Sequence, residues 1–160
     1  MKQVEAIHKK IYSLNQLQHF VIALKTIGKT VAFTNGCFDI LHEGHIFSLS
    51  QAAKEADFLI VALNTDKSVK KLKGDERPIN NEQSRSLLIA SLIMVDAVVL
   101  FDEDTPLQVI STLLPDVLVK GGDYTVEQIV GSKEVIANGG RVVINPIIEG
   151  FSTTGIINHI

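Results

Sequence analysis

His42 and His45 stand three residues apart, with Gly44 between them, in the stretch Thr34-Asn35-Gly36-Cys37-Phe38-Asp39-Ile40-Leu41-His42-Glu43-Gly44-His45. On a helix this spacing puts both imidazoles on one face of the first turn. Paired imidazoles beside a glycine-bearing turn suit the stabilisation of charge on a phosphate in transfer. Metal ligation and helix capping are the other uses of such a pair. A zinc site needs three or four ligands, and only Cys37 and Asp39 lie close in sequence, so metal is the weaker reading. Cys37 is the single cysteine, which excludes an internal disulfide and suits a reducing cytoplasm. It has no evident activating neighbour and reads as chemically inert.

The elements around the stretch are those that would position it. Thr30-Val31-Ala32-Phe33 reads as a buried strand before it, and Ile46 to Glu55 as an amphipathic helix after it. A turn at the carboxyl end of a strand, running into a helix N-terminus, is where open α/β sheets take nucleotides and phosphates. Further strands are expected at Asp57–Leu63, Ala97–Phe101, Asp116–Lys120 and Arg141–Asn145. Helices are expected over Glu82–Met94, capped by Asn80 or Asn81, over Leu107–Leu114 after Thr105-Pro106, near 131–138, and from Glu149 to Ile160. Lys67 to Arg77 is a short basic helix or loop ended by Pro78. Residues 1–29 read as helical, with Ile7, Ile11, Leu14, Leu17, Val21 and Leu24 at three- and four-residue steps. They form an N-terminal helical arm, and 30–160 the main domain. Alternating strands and helices, with no half-exposed strand pattern, predict one doubly wound α/β domain. Its five-stranded parallel sheet would carry helices on both faces.

The totals narrow the setting. The chain has 160 residues, 46% hydrophobic and 21% charged, with a net charge of -3. That charge leaves no footprint for nucleic acid. No apolar run reaches the roughly 18 residues of a spanning helix, and no signal-peptide core opens the chain, so no membrane is expected. Gly28-Lys29-Thr30 looks like the end of a Walker loop, but Ala23 stands where that loop needs its first glycine, and the motif is rejected.

The run Asn35-Gly36-Cys37-Phe38-Asp39, followed by His42-x-Gly44-His45, resembles the signature of the His-x-Gly-His nucleotidyltransferase (cytidylyltransferase-like) superfamily. The late Glu149-Gly150-Phe151-Ser152-Thr153-Thr154 is similar to that superfamily's second phosphate motif. More narrowly, three segments resemble the adenylyltransferases that make ADP-heptose from D-glycero-D-manno-heptose 1-phosphate: Thr34–His42, Val61–Asp66 and Asp116–Tyr124. The shorter runs Arg77–Asn80 and Asp102–Pro106 fit as well. In many bacteria that activity is fused to a sugar kinase, for which 160 residues leave no room, so a stand-alone form is expected. One departure is Ile147, where cytidylyltransferases of this superfamily carry an arginine two residues before the Glu-Gly of the late motif.

The resemblance implies AMP transfer from ATP to a sugar 1-phosphate, with Mg²⁺ as cofactor. The attacking phosphate is already anionic, so positioning and charge neutralisation suffice and no general base is needed. His42, His45, Lys71 and Lys73 are the expected catalytic groups. The histidines would donate to the phosphates, and the lysines would close over the triphosphate. Nucleotide contacts are expected from Asn35, Gly36, Cys37, Phe38, Gly44, Gly121, Gly122, Asp123, Ser152, Thr153 and Thr154. Asn64 and Asp66 would bind sugar hydroxyls. Arg85 would reach phosphate or pair with Glu82, and Asp39 would orient the acceptor. Asp39 or Asp123 would hold Mg²⁺. Rival expectations are a glycerol-3-phosphate cytidylyltransferase and a non-catalytic nucleotide sensor. A homodimer or larger homo-oligomer is expected from the arm.

Overall fold

A computed structural model describes residues 3–159. Six strands form one parallel sheet: β1 (Ile11–Tyr12), β2 (Val31–Gly36), β3 (Phe58–Asn64), β4 (Ala97–Phe101), β5 (Val117–Gly121) and β6 (Arg141–Asn145). Among the described residues seven α-helices accompany them: α1 (Leu14–Thr26), α2 (Glu43–Ala53), α3 (Asp66–Lys73), α4 (Glu82–Ala90), α5 (Leu107–Leu113), α6 (Ser132–Ala137) and α7 (Thr153–Ile157). The sheet order is β1-β4-β3-β2-β5-β6. The chain winds outward from β2 to β3 and β4, then returns to lay β5 and β6 on the other side. The order therefore reverses between β2 and β5, and the crevice at their carboxyl ends is the place where such sheets take ligands.

The two faces of the sheet bury separate cores. Phe33, Ile60, Ala62, Val99 and Leu118 pack with Leu17, Val21, Val109, Ile110 and Val135 on one face. On the other, Ala32, Leu59, Val61, Leu63, Val98 and Val119 pack with Leu49, Ala52, Ile89 and Ala90. Alternate residues of one strand thus serve opposite faces. β3 is buried almost throughout because both faces are covered, which is why it reads as an unbroken apolar run. Each large aliphatic buried this way contributes ~1.5–3 kcal/mol relative to exposure.

The doubly wound α/β expectation holds, with six strands rather than five. The sixth is β1, two residues that pair Ile11 with Val98 and Tyr12 with Val99 at the sheet edge. So short a strand has no periodicity to reveal it. Residues 1–29 are correspondingly not one helix. Two 3₁₀ turns (Val4–Ala6 and His8–Lys10) and β1 come before α1, and Met1 and Lys2 lie outside the described residues. Ser13 starts α1 through a capping box with Gln16, which explains why helix begins only there. Two other helices are shorter than expected. α4 stops at Ala90, where the N–H of Leu92 turns back to Ile89, and α7 spans only Thr153–Ile157. Pro106 takes the cap position of α5. Among the described residues no helix is long and apolar enough to cross a membrane.

Candidate active site

A cleft of about 770 Å³ opens at the carboxyl edge, over the point where the strand order reverses. β2 delivers Asn35 and Gly36, and the chain then turns through Phe38 with φ +47, in the left-handed region. A phenylalanine there is strained, and such strain collects at functional turns. The Phe38 ring lies so close over Gly36 that a Cβ on that residue would meet it at 2.8 Å and the ring would have to move.

His42 occupies the N-cap position of α2, yet its side chain makes no cap bond. Its ring stacks on that of His45, with centroids 3.7 Å apart and planes 21° from parallel. The Nδ1 atoms of both rings are buried without a hydrogen-bond partner. Burial pushes the His45 imidazole down to about 4, with His42 beside it as the next cause; burial lowers His42 as well. Both rings are therefore neutral at pH 7 in the free protein. Buried polar atoms without partners are uncommon, and a catalytic site is one of the settings that explains them. Gly44 permits the packing, since a Cβ there would sit 3.1 Å from both the His42 ring and Phe151.

The late motif closes the same wall. Phe151 stacks near His42, with centroids 6.4 Å apart, and the Thr153 hydroxyl donates to the Ile40 carbonyl at 3.4 Å. The Ser152 hydroxyl caps α7 by accepting from the Gly155 N–H, while the Thr154 side chain stays exposed beside the cleft. The two motifs, more than a hundred residues apart in sequence, thus share one side of the molecule.

Most of the expected site residues line this cleft: Asn35, Gly36, Cys37, Phe38, Asp39, His42, Gly44, His45, Asn64, Lys73, Gly121, Ser152, Thr153 and Thr154. Lys71, Asp66, Arg85, Gly122 and Asp123 do not. Lys71 points to Asp104 in an exposed ion pair. Arg85 reaches no open space and does not pair with Glu82. Its guanidinium is fully buried and donates to the carbonyls of Cys37, Asn64 and Asn80 and to the Asp66 carboxylate, at 2.7–3.0 Å. Glu82 instead accepts the Asp66 N–H. Arg85 is therefore a staple joining three loops. Asp123 is exposed, and Gly122 (φ +119) turns the chain against Tyr124 and Ile147.

Asp39 lines the cleft but its oxygens are engaged. They accept from the N–H groups of Ile79 and Asn80 and from Arg77 at 2.6–2.9 Å. Burial alone would raise its pKa; these donors outweigh it and hold the carboxyl below its usual range. Asn64 is likewise committed, donating to Ser68 and accepting from the Cys37 thiol. Burial pushes that thiol up, in keeping with an inert cysteine.

Among the described residues no group of three or more His, Cys, Asp or Glu side chains is placed to hold a metal ion. With Asp39 engaged and Asp123 outside the cleft, the residues do not form a protein-built Mg²⁺ site. Cleft residues not foreseen from sequence include Ser48, Arg77, Asp104, Thr105, Lys120, Tyr124 and Gln128. Lys120 had a legible signal, a lysine ending the apolar run Val117-Leu118-Val119. The others depend on tertiary contacts.

Residues 33–159 match the family described as Cytidylyltransferase-like. The chain is similar to the bifunctional protein HldE of Caulobacter vibrioides, 55% identical over 148 residues, covering 92% of this chain and 31% of that protein. It is 50% identical over 156 residues to the bifunctional protein HldE of Rhodospirillum rubrum, covering 98% and 32%. The chain thus spans about a third of the length of these curated relatives. A crystal structure of the lipopolysaccharide core biosynthesis protein from Thermoplasma volcanium superposes with a TM-score of 0.61 at 29% identity, over 76% of this chain and 98% of that one. The pantoate-beta-alanine ligase of Francisella tularensis shares the fold, with a TM-score of 0.60 at 14% identity over 92% and 75%. With most of its length matched and the paired histidines seated at the carboxyl edge of a doubly wound sheet, the chain belongs to the Cytidylyltransferase-like family.

Proposed function

We propose that this chain transfers AMP from ATP to D-glycero-D-manno-heptose 1-phosphate, giving ADP-heptose and pyrophosphate for lipopolysaccharide or another surface glycan. The observation that carries nucleotidyl transfer is the stacked imidazole pair, with both Nδ1 atoms unpartnered, sharing a wall with Ser152, Thr153 and Thr154. The choice of base and sugar is supported by the three segments that resemble ADP-heptose-forming enzymes and by the similarity to proteins named HldE. Likeness to the lipopolysaccharide core biosynthesis protein of Thermoplasma volcanium supports a surface-glycan destination for the product. Ile147, exposed on the cleft, supplies no cation to a nucleotide phosphate and favours this reading over a glycerol-3-phosphate cytidylyltransferase.

In the proposed step an oxygen of the sugar 1-phosphate forms a bond to the α-phosphorus of ATP. The bond from that phosphorus to the bridging oxygen breaks, and pyrophosphate leaves with the electron pair. No proton need be removed from the nucleophile. His42 and His45 donate to the α-phosphate and leaving group, where charge grows in the transition state. With burial favouring their neutral forms, they meet that charge as neutral hydrogen-bond donors. Backbone around Gly36 to Phe38 and the hydroxyls near α7 hold the remaining phosphates, and Lys73 covers the triphosphate from the end of α3. Magnesium, the expected cofactor, would neutralise phosphate charge and would be held chiefly by the phosphates themselves, as is common for this ion. Cytoplasmic location belongs to the same proposal, as does a homodimer or larger homo-oligomer, whose mass sedimentation would give.

The test is pyrophosphate release from ATP or CTP with heptose 1-phosphate or glycerol 3-phosphate. The proposal requires the ATP and heptose 1-phosphate pair to be fastest. Preference for CTP would overturn the base assignment, and ATP binding without turnover would make the chain a sensor.

A further inference from the structure

We propose that Lys120 anchors the phosphate of the second substrate, the sugar 1-phosphate, on the side of the sheet edge opposite the histidines. The inference rests on the reading of the chain as a sugar-1-phosphate nucleotidyltransferase.

Lys120 lies near the carboxyl end of β5, the strand that borders the reversal point across from β2. Leu118 packs in the core shared with Phe33, Phe101, Val109 and Ile129, and strand alternation sends Lys120 to that same face. The helix carrying His42 and His45 packs through Leu49 and Ala52 into the opposite core. The cleft therefore has two walls, one from each face of the sheet. The histidines stand on one and Lys120, with Phe101, Pro106 and Ile129, on the other.

The charges around the cleft single out the same residue. Arg77 is paired with Asp39, Arg85 with Asp66, Lys67 with Asp102 and Lys71 with Asp104. Among the described residues Lys120 has no carboxylate partner, and its ammonium stands 5.8 Å from the centre of the Tyr124 ring. Lys73, also in the cleft, is exposed and keeps its hydration; Lys120 is half-buried. Burial pulls the Lys120 ammonium below its usual pKa. A half-buried cation without a counter-charge is a costly arrangement, relieved when a ligand brings an anion.

Geometry decides which anion. In phosphoryl transfer the attacking and leaving oxygens are in line on opposite sides of the phosphorus. If pyrophosphate departs along the wall of His42, His45 and the α7 hydroxyls, the nucleophile must approach from the wall of Lys120. That nucleophile is the sugar phosphate. Gln128 and Thr105 lie on this side with polar groups suited to sugar hydroxyls.

The experiment measures initial rates of pyrophosphate release with the full chain, varying ATP and heptose 1-phosphate independently. Wild-type turnover with this pair comes first, and its absence would remove the functional reading and the proposal together. Given turnover, Lys120→Met is expected to raise KM for the sugar phosphate by ~10- to 10²-fold and to leave KM for ATP within about threefold. Lys120→Arg keeps a cation and is expected to fall between the two. Inorganic phosphate is expected to compete with the sugar phosphate in the wild type and to lose that competition in Lys120→Met. Circular dichroism and melting temperature establish that each variant is folded. Should Lys120→Met fail to fold, the decision passes to Lys120→Gln in the same assay. An unchanged KM for the sugar phosphate, or an equal rise in KM for ATP, overturns the assignment.

Discussion

At the amino edge of the sheet three aspartates stand immediately before strands, and each caps a neighbour. Asp57 accepts the N–H of Thr30, Asp96 that of Leu59 and Asp116 that of Val31, all at 2.8–2.9 Å. Lys29 and Lys25 add ion pairs to Asp57 and Asp116. At the carboxyl edge the arrangement is reversed in kind. Among the described residues two imidazole nitrogens are buried without partners, a phenylalanine holds a left-handed φ, and Lys120 has no carboxylate partner. One edge is saturated and serves folding; the other keeps polar capacity for molecules still to arrive. The difference also shows that polarity at a strand end says little by itself. Whether its hydrogen bonds are already spent on the protein tells structure from site.

Four changes test the contrast. Arg85→Met strikes a part of the carboxyl edge that is already spent, leaving Asp66 and three carbonyls without their donor. It is expected to cost ~3–5 kcal/mol of stability in denaturant unfolding, with activity falling alongside. A loss below about 1 kcal/mol would show that the staple contributes little. His42→Ala is expected to lower turnover by ~10²-fold or more while the melting temperature holds within about 2 °C, since the ring makes no hydrogen bond to the fold. Equal losses of stability and turnover would erase the distinction between the edges. Asp96→Ala should do the converse: it leaves the buried Leu59 N–H unpaired, at ~1–3 kcal/mol, with kcat and both KM values unchanged.

The fourth change is in pH dependence. His45 has a folded pKa of about 4, below the ordinary 6.5, so between those values the unfolded chain binds more protons and stability falls as pH drops. Asp57 is held below its ordinary 3.8, chiefly by the Thr30 backbone N–H, so its contribution is lost only under more acidic conditions. Between pH 7.5 and pH 4 the melting temperature of the wild type should fall relative to that of His45→Gln. Parallel curves would remove the imidazole from that slope.

Much of this was readable from residue order, for physical reasons that also explain the gaps. Buried parallel strands must be apolar on both faces, so the runs at 58–63, 97–101 and 117–119 announced themselves. Motif spacing brought out His42, His45 and the hydroxyls of 152–154, because a turn into a helix is a local device. Roles that depend on what another segment supplies were not readable. Asp39 looked free to bind metal until Arg77 and two backbone N–H groups proved to occupy it. Arg85 looked like a phosphate ligand because nothing in its own helix reveals that three carbonyls converge on it. β1 was lost inside a helical reading, since Ile7, Ile11 and Leu14 have spacings that suit a helix as well as the bends actually present.

The buried guanidinium of Arg85 has a further implication for how such a cleft can change. The turns after β2 and β3 and the segment entering α4 all meet on it, so none can shift without disturbing the others. The opposite bank, running through Thr105 and from Tyr124 to Val130, is largely open to solvent and carries no comparable knot. New acceptor preferences should therefore be far easier to select by substitution along that bank, while the histidine side tolerates almost none.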